Sequence, residues 1–87
     1  MIEIYNFIYL MDMNCVGDIW RPYGFAPDLP TSPGHVYTST PIEFDEENLI
    51  LTTASGRKYK ICSFEGDNQK WISQIKLDIK NGGSEIL

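Results

Sequence analysis

From Ile2 to Met11 the chain reads IEIYNFIYLM, with apolar residues at both parities. Ile2, Ile4, Ile8 and Leu10 share one face, and Tyr5, Phe7, Tyr9 and Met11 share the other, with Asn6 as the exception. Apolar residues at period two on both faces predict a strand that is either central or part of an interface. Its aromatic and β-branched content favours strand over helix. From Asp12 to Pro33 the alternation stops. DMNCVGDIWRPYGFAPDLPTSP holds four of the five prolines and two glycines, which predicts a long loop with no extended regular element. Trp20, Tyr23 and Phe25 make that loop too aromatic for a disordered linker, and long loops in small domains often carry function.

Alternation returns from Val36 to Cys62. VYTSTPIEF and LILTT flank the acidic turn Asp45-Glu46-Glu47-Asn48, and a second turn, Ala54-Ser55-Gly56-Arg57, leads into KYKIC. This predicts a three-stranded antiparallel meander, with Pro41 marking an edge or bulge and Gly56 supplying the positive φ of a tight turn. After Asp67, a fitting N-cap, Trp71, Ile72, Ile75 and Ile79 recur at helical spacing up to the stop Asn81-Gly82-Gly83. Trp71 and Ile75 are expected to be buried against the sheet. The pattern therefore predicts an α+β fold: a small antiparallel sheet, made of the N-terminal strand and the meander, under one C-terminal helix. A single domain over 1–83 with a frayed tail at 84–87 follows from the same boundaries.

Composition narrows the class of partner. Twelve carboxylates stand against seven Lys and Arg, for a net charge of −5 over 87 residues. That balance lacks the basic footprint of a nucleic-acid binder and suits a soluble domain or a basic protein partner. The chain shows no basic leader before its first apolar run and no apolar stretch long enough to span a bilayer, so a cytoplasmic setting without membrane attachment is expected. The two cysteines, Cys15 and Cys62, have no metal spacing and are expected as free, buried thiols.

Chemistry-bearing residues are few. His35 is the one histidine, and no spacing ties it to Ser32, Ser39 or Cys15 as a nucleophile, so no catalytic residue and no enzyme activity is expected. Asp45, Glu46 and Glu47 lack the spaced oxygens of a calcium loop, and neither metal nor cofactor is called for. Trp20, Arg21, Tyr23 and Phe25 combine the residue types enriched at binding hot spots, which makes them the expected partner contact. The acidic turn Asp45, Glu46 and Glu47 is the second expected patch. Arg57, Lys58 and Lys60 form a small basic stripe that suits an alternative, polyanion-binding reading.

Residues 34–42, GHVYTSTPI, and 52–59, TTASGRKY, resemble strands of small bacterial and phage-type β-rich proteins that carry a TS-P-(I/V) strand and a T-x-SG-x-x-Y hairpin. The two segments lie within residues 34–59, about a third of the chain. It implies a hairpin framework and assigns no functional residue. Taken together, the expectation is a small acidic protein-binding module that occupies a partner, in its most specific form a phage-type inhibitor of a bacterial defence complex. The alternatives are a nucleic-acid or polyanion-binding accessory protein and, last, a minimal enzyme using His35. Homo-oligomerisation through the N-terminal strand is a further expectation.

Overall fold

The computed structural model describes residues 1–12, 19–30 and 33–81. Six strands precede one helix: β1 (Ile2–Asp12), β2 (Ile19–Ala26), β3 (Gly34–Tyr37), β4 (Pro41–Asp45), β5 (Ile50–Thr53), β6 (Lys58–Ile61) and α1 (Asn68–Lys80). They form one mixed sheet in the order β3-β2-β1-β6-β5-β4. The fold is α+β as the pattern predicts, but the sheet has six strands rather than four. The expected long loop contains β2, and the expected strand from Val36 to Phe44 is divided into β3 and β4.

The sheet rolls up on itself. β3 and β4 are its two edges, yet residues 38–40 alone join them. Thr38 N–H still donates to Pro22 O of β2 at 2.9 Å, and Thr40 O already accepts from Ala54 N–H at the end of β5 at 2.8 Å. One bent leg thus passes from one half of the sheet to the other. Counted this way the chain makes five antiparallel legs, and in an odd-numbered ring the first and last must run in the same direction. β1 and β6 do so: Ile2, Glu3 and Ile4 pair in parallel with Tyr59, Lys60 and Ile61. The extents of 30 × 28 × 26 Å fit such a rolled sheet. β1 is a central strand, paired to β2 on one side and β6 on the other.

A bulge in β1 decides which side chains enter the core. Asn6 sits at φ 54, in the left-handed region, and the register to β2 moves three residues on β1, from Tyr5 to Ile8, for two on β2, from Phe25 to Tyr23. The extra residue flips the parity. Ile4 points inward before it, and Phe7 and Tyr9 point inward after it, so the apparent two-faced strand is two one-faced strands in series. These three join Ala26, Leu29, Leu51, Tyr59, Ile61 and Ile75 in one core. Gly24 is required there, because a Cβ would lie 2.6 Å from Ile4 Cγ1 and 2.9 Å from the Tyr5 carbonyl oxygen.

Helix α1 closes the roll against β4 and β1. Asp67 caps it by accepting from Gln69 N–H at 3.0 Å, as expected. Ile72 and Ile75 are buried, and so is Asp78, which accepts from the Tyr9 hydroxyl at 3.0 Å. Trp71 is half-buried rather than buried, stacked on Tyr9 with its Nε1–H donating to Glu65 O. Cys62, expected inside, is exposed just past β6, and Cys15 lies outside the described residues. No described helix is long and apolar enough to cross a membrane.

Candidate functional site

The outer face of β1, β2 and β3 is a grid of rings. Registers set Tyr5 beside Phe25 and Phe25 beside His35, then Ile8 beside Tyr23 and Tyr23 beside Tyr37, then Leu10 beside Arg21. Cross-strand neighbours stand on the same face, so these residues share one surface. Their inward counterparts are Pro22, Gly24, Ala26 and Val36. The rings touch: Tyr23 and His35 stack at 6.0 Å between centroids, Tyr23 and Tyr37 meet edge-on at 4.9 Å, and Phe25 and His35 lie 5.0 Å apart. His35 is exposed, Tyr23, Phe25 and Tyr37 are half-buried, and no described element packs over them.

Pro22 is the residue that made this stretch read as a loop. Its missing N–H falls opposite Thr38, where the ladder between β2 and β3 would pair both ways. Thr38 N–H donates to Pro22 O, and the return bond is supplied by Arg21, whose Nη2 donates to Thr38 O at 2.8 Å. Arg21 Nη1 also binds buried Asp12 Oδ2 at 2.6 Å, and the guanidinium lies over the Tyr37 ring at 5.5 Å. Tyr37 in turn donates its hydroxyl to Met11 O. Arg21 thus substitutes for a backbone donor and anchors the grid.

The sequence-predicted contact residues divide accordingly. Tyr23, Phe25 and Arg21 are on the outer face, and Arg21 is tied to Asp12 by the ion pair. Trp20 is half-buried and packs inward against the core. His35 and Tyr37 complete the surface but were not among the expected contacts. Their signal was available, since alternation in Gly34-His35-Val36-Tyr37 puts both on one face.

The acidic turn is elsewhere and differently employed. β4 stands at the opposite end of the strand order from β3 and packs on neither β2 nor β3. Asp45 accepts from Asn48 N–H at 3.2 Å and from Asn48 Nδ2 at 2.9 Å, which lowers its pKa from the usual carboxylate value. Glu46 is ion-paired with Lys76 of α1. Glu47 is exposed. The turn shapes a hairpin and tethers the helix, and it does not join the aromatic grid.

The basic stripe is offset by its surroundings. Lys60 lies across the ladder from Glu3, donates to Asn48 O, and its charge contributes to lowering the pKa of Asp45. Lys58 shares a shallow groove of about 260 Å³ with Glu43 and Asp45, over Phe44 and Ile50. A run of cations so interleaved with carboxylates presents no net positive stripe. Among the described residues no three His, Cys, Asp or Glu side chains come together as metal ligands.

No family model, no curated protein and no solved structure matches this chain. The resemblance at residues 34–42 and 52–59 falls on β3, β4, β5 and the start of β6, a framework of strands with no activity attached.

Proposed function

We propose that this chain is a protein-binding module that occupies a partner through the outer face of β1, β2 and β3. The observation that supports it is the grid of Tyr5, Phe25, His35, Ile8, Tyr23 and Tyr37, half-buried apart from exposed His35 and with no described element packed over it. Aromatic side chains held on a strand release free energy when a partner desolvates them, and their two side-chain torsions cost little entropy to fix. The Arg21–Asp12 pair and the Tyr37–Met11 hydrogen bond hold the surface in place before binding. In this reading His35 is a contact residue and the module acts by occupancy, not by catalysis. Its finer form, a phage-type inhibitor of a bacterial defence complex, draws on the resemblance alone.

The test compares the wild-type chain with a Tyr23→Ala/Phe25→Ala variant as bait in cell lysate, alongside thermal melts of both. The expected result is a protein that the wild-type chain retains and the variant loses, with the melting temperature of the variant largely preserved. Glu47→Gln, in the acidic turn, is expected to retain the same protein. Equal retention by the double variant would overturn the proposal. So would finding that the main bound species is nucleic acid released steeply by salt.

A further inference from the structure

The end of the grid nearest the start of β1 has a charge character of its own. Tyr5, Phe25 and His35 form one row across three strands. Glu3 precedes Tyr5 by two residues on the same face of β1, and Asp28 follows Phe25 just past β2. The charge of Glu3 raises the pKa of the Tyr5 hydroxyl above its usual value, with further contributions from Cys62, burial and Asp28. Among the described residues neither carboxylate is in an ion pair: Lys60, opposite Glu3, donates to Asn48 O, and Arg21 is held by Asp12. Among the described residues the Glu3 carboxylate accepts from the Cys62 thiol at 3.6 Å. Aromatic faces flanked by carboxylates that hold no ion pair are the complement of a flat, delocalised cation.

Resting on the proposed protein-binding role, we infer that the Tyr5–Phe25–His35 row, with Glu3 and Asp28, receives an arginine side chain from the partner. The guanidinium stacks on the rings of Tyr5 and Phe25 and directs its N–H donors at the two carboxylates. The net charge of −5 draws a basic segment towards the module, and the row selects arginine within that segment. The Ile8–Tyr23–Tyr37 row then supplies the apolar part of the contact.

The probe is acetyl-Gly-Arg-Gly-amide, titrated into the isotopically labelled full chain and followed by amide chemical shifts. Its counterpart carries citrulline, which keeps the shape and loses the charge. The expected shifts concentrate at Tyr5, Phe25 and His35, with the citrulline peptide at least about threefold weaker. Phe25→Leu and Glu3→Gln should each weaken the arginine peptide by a similar factor. Glu47→Gln, which removes the same unit of charge at the far end of the sheet, should leave binding unchanged. Equal binding of the two peptides, shifts centred on residues 45–47, or no loss in Phe25→Leu would each overturn the assignment. If that happens while Tyr23→Ala/Phe25→Ala still loses its protein partner, the binding face stands and its arginine chemistry does not. If the double variant keeps its partner, the face itself is wrong.

Discussion

Tyr9 reaches through the core to place its hydroxyl on the buried carboxylate of Asp78, 69 residues further along the chain. Phenylalanine at that position keeps the ring and removes the donor, leaving Asp78 one partner short in a low-dielectric interior. Tyr9→Phe should cost about 1–3 kcal/mol in urea unfolding. The Tyr9→Phe/Asp78→Leu pair should cost less than the two single changes summed, because the unsatisfied group goes with its partner. Burial first, and then the charge and hydrogen bond of Asp78, raise the Tyr9 pKa far above its usual value. An unfolded phenol ionises near pH 10, so the stability linked to Tyr9 is complete below about pH 10 and falls above it as the unfolded chain releases a proton that the native state keeps. The fall in melting temperature between about pH 10 and 11 should therefore be shallower in Tyr9→Phe than in the wild type. At Gly24 the limit is steric rather than polar. A methyl group would meet Ile4 and the backbone of Tyr5, so Gly24→Ala should destabilise by about 1–3 kcal/mol. Equal stability would mean that β1 and β2 separate there at little cost.

At the scale of elements, Pro22 and Asn6 show where the pattern could be read and where it could not. The helix was legible from Asp67 and the spacing of Trp71, Ile72, Ile75 and Ile79, because cap and stripe are both local signals. The hairpins around Asp45–Asn48 and Ala54–Arg57 were legible for the same reason. Strand β2 was not, since the usual objection to proline in a strand is its missing donor, and here that donor comes from the neighbouring side chain, Arg21, to Thr38 O. The bulge in β1 was half legible: Asn6 interrupts the apolar run, but only the pairing with β2 reveals that it reverses the inward face. Two of the six residues of the grid, Tyr23 and Phe25, followed from residue type alone, whereas Trp20 went inward because β2 alternates. If Arg21 completes the ladder, Arg21→Met should destabilise by about 3 kcal/mol, leaving buried Asp12 without this cation and Thr38 O without this donor. Arg21→Lys should recover only part of that, because an ammonium lacks the fork that bridges both acceptors. Full recovery by lysine would show that charge alone matters at this position.

For the whole molecule, the decisive step is closure of the roll between β1 and β6. The Ile4–Ile61 pair spans 57 positions of chain, while β4, β5 and β6 pair with near neighbours across short turns. No local signal marks this seam, since parallel pairing leaves the period-two pattern of both strands unchanged. Sequence alone therefore suggested a small antiparallel sheet, where the chain makes a six-stranded mixed one with a parallel seam. Loop-closure entropy must be overcome before the seam contributes any contact, so the meander should form first and the seam late. Ile61→Val removes one methylene from a residue that is 1% exposed, a loss of about 0.5–1.5 kcal/mol. If the seam closes after the transition state, that loss should appear almost wholly as faster unfolding, with the refolding rate unchanged. Leu51→Val, a change of similar size in the middle of the meander, should instead slow refolding. Stopped-flow chevrons of the two variants decide the order. If refolding slows as much in Ile61→Val as the equilibrium loss requires, β1 and β6 are already joined in the nucleus, and the chain folds from its closing pair outward.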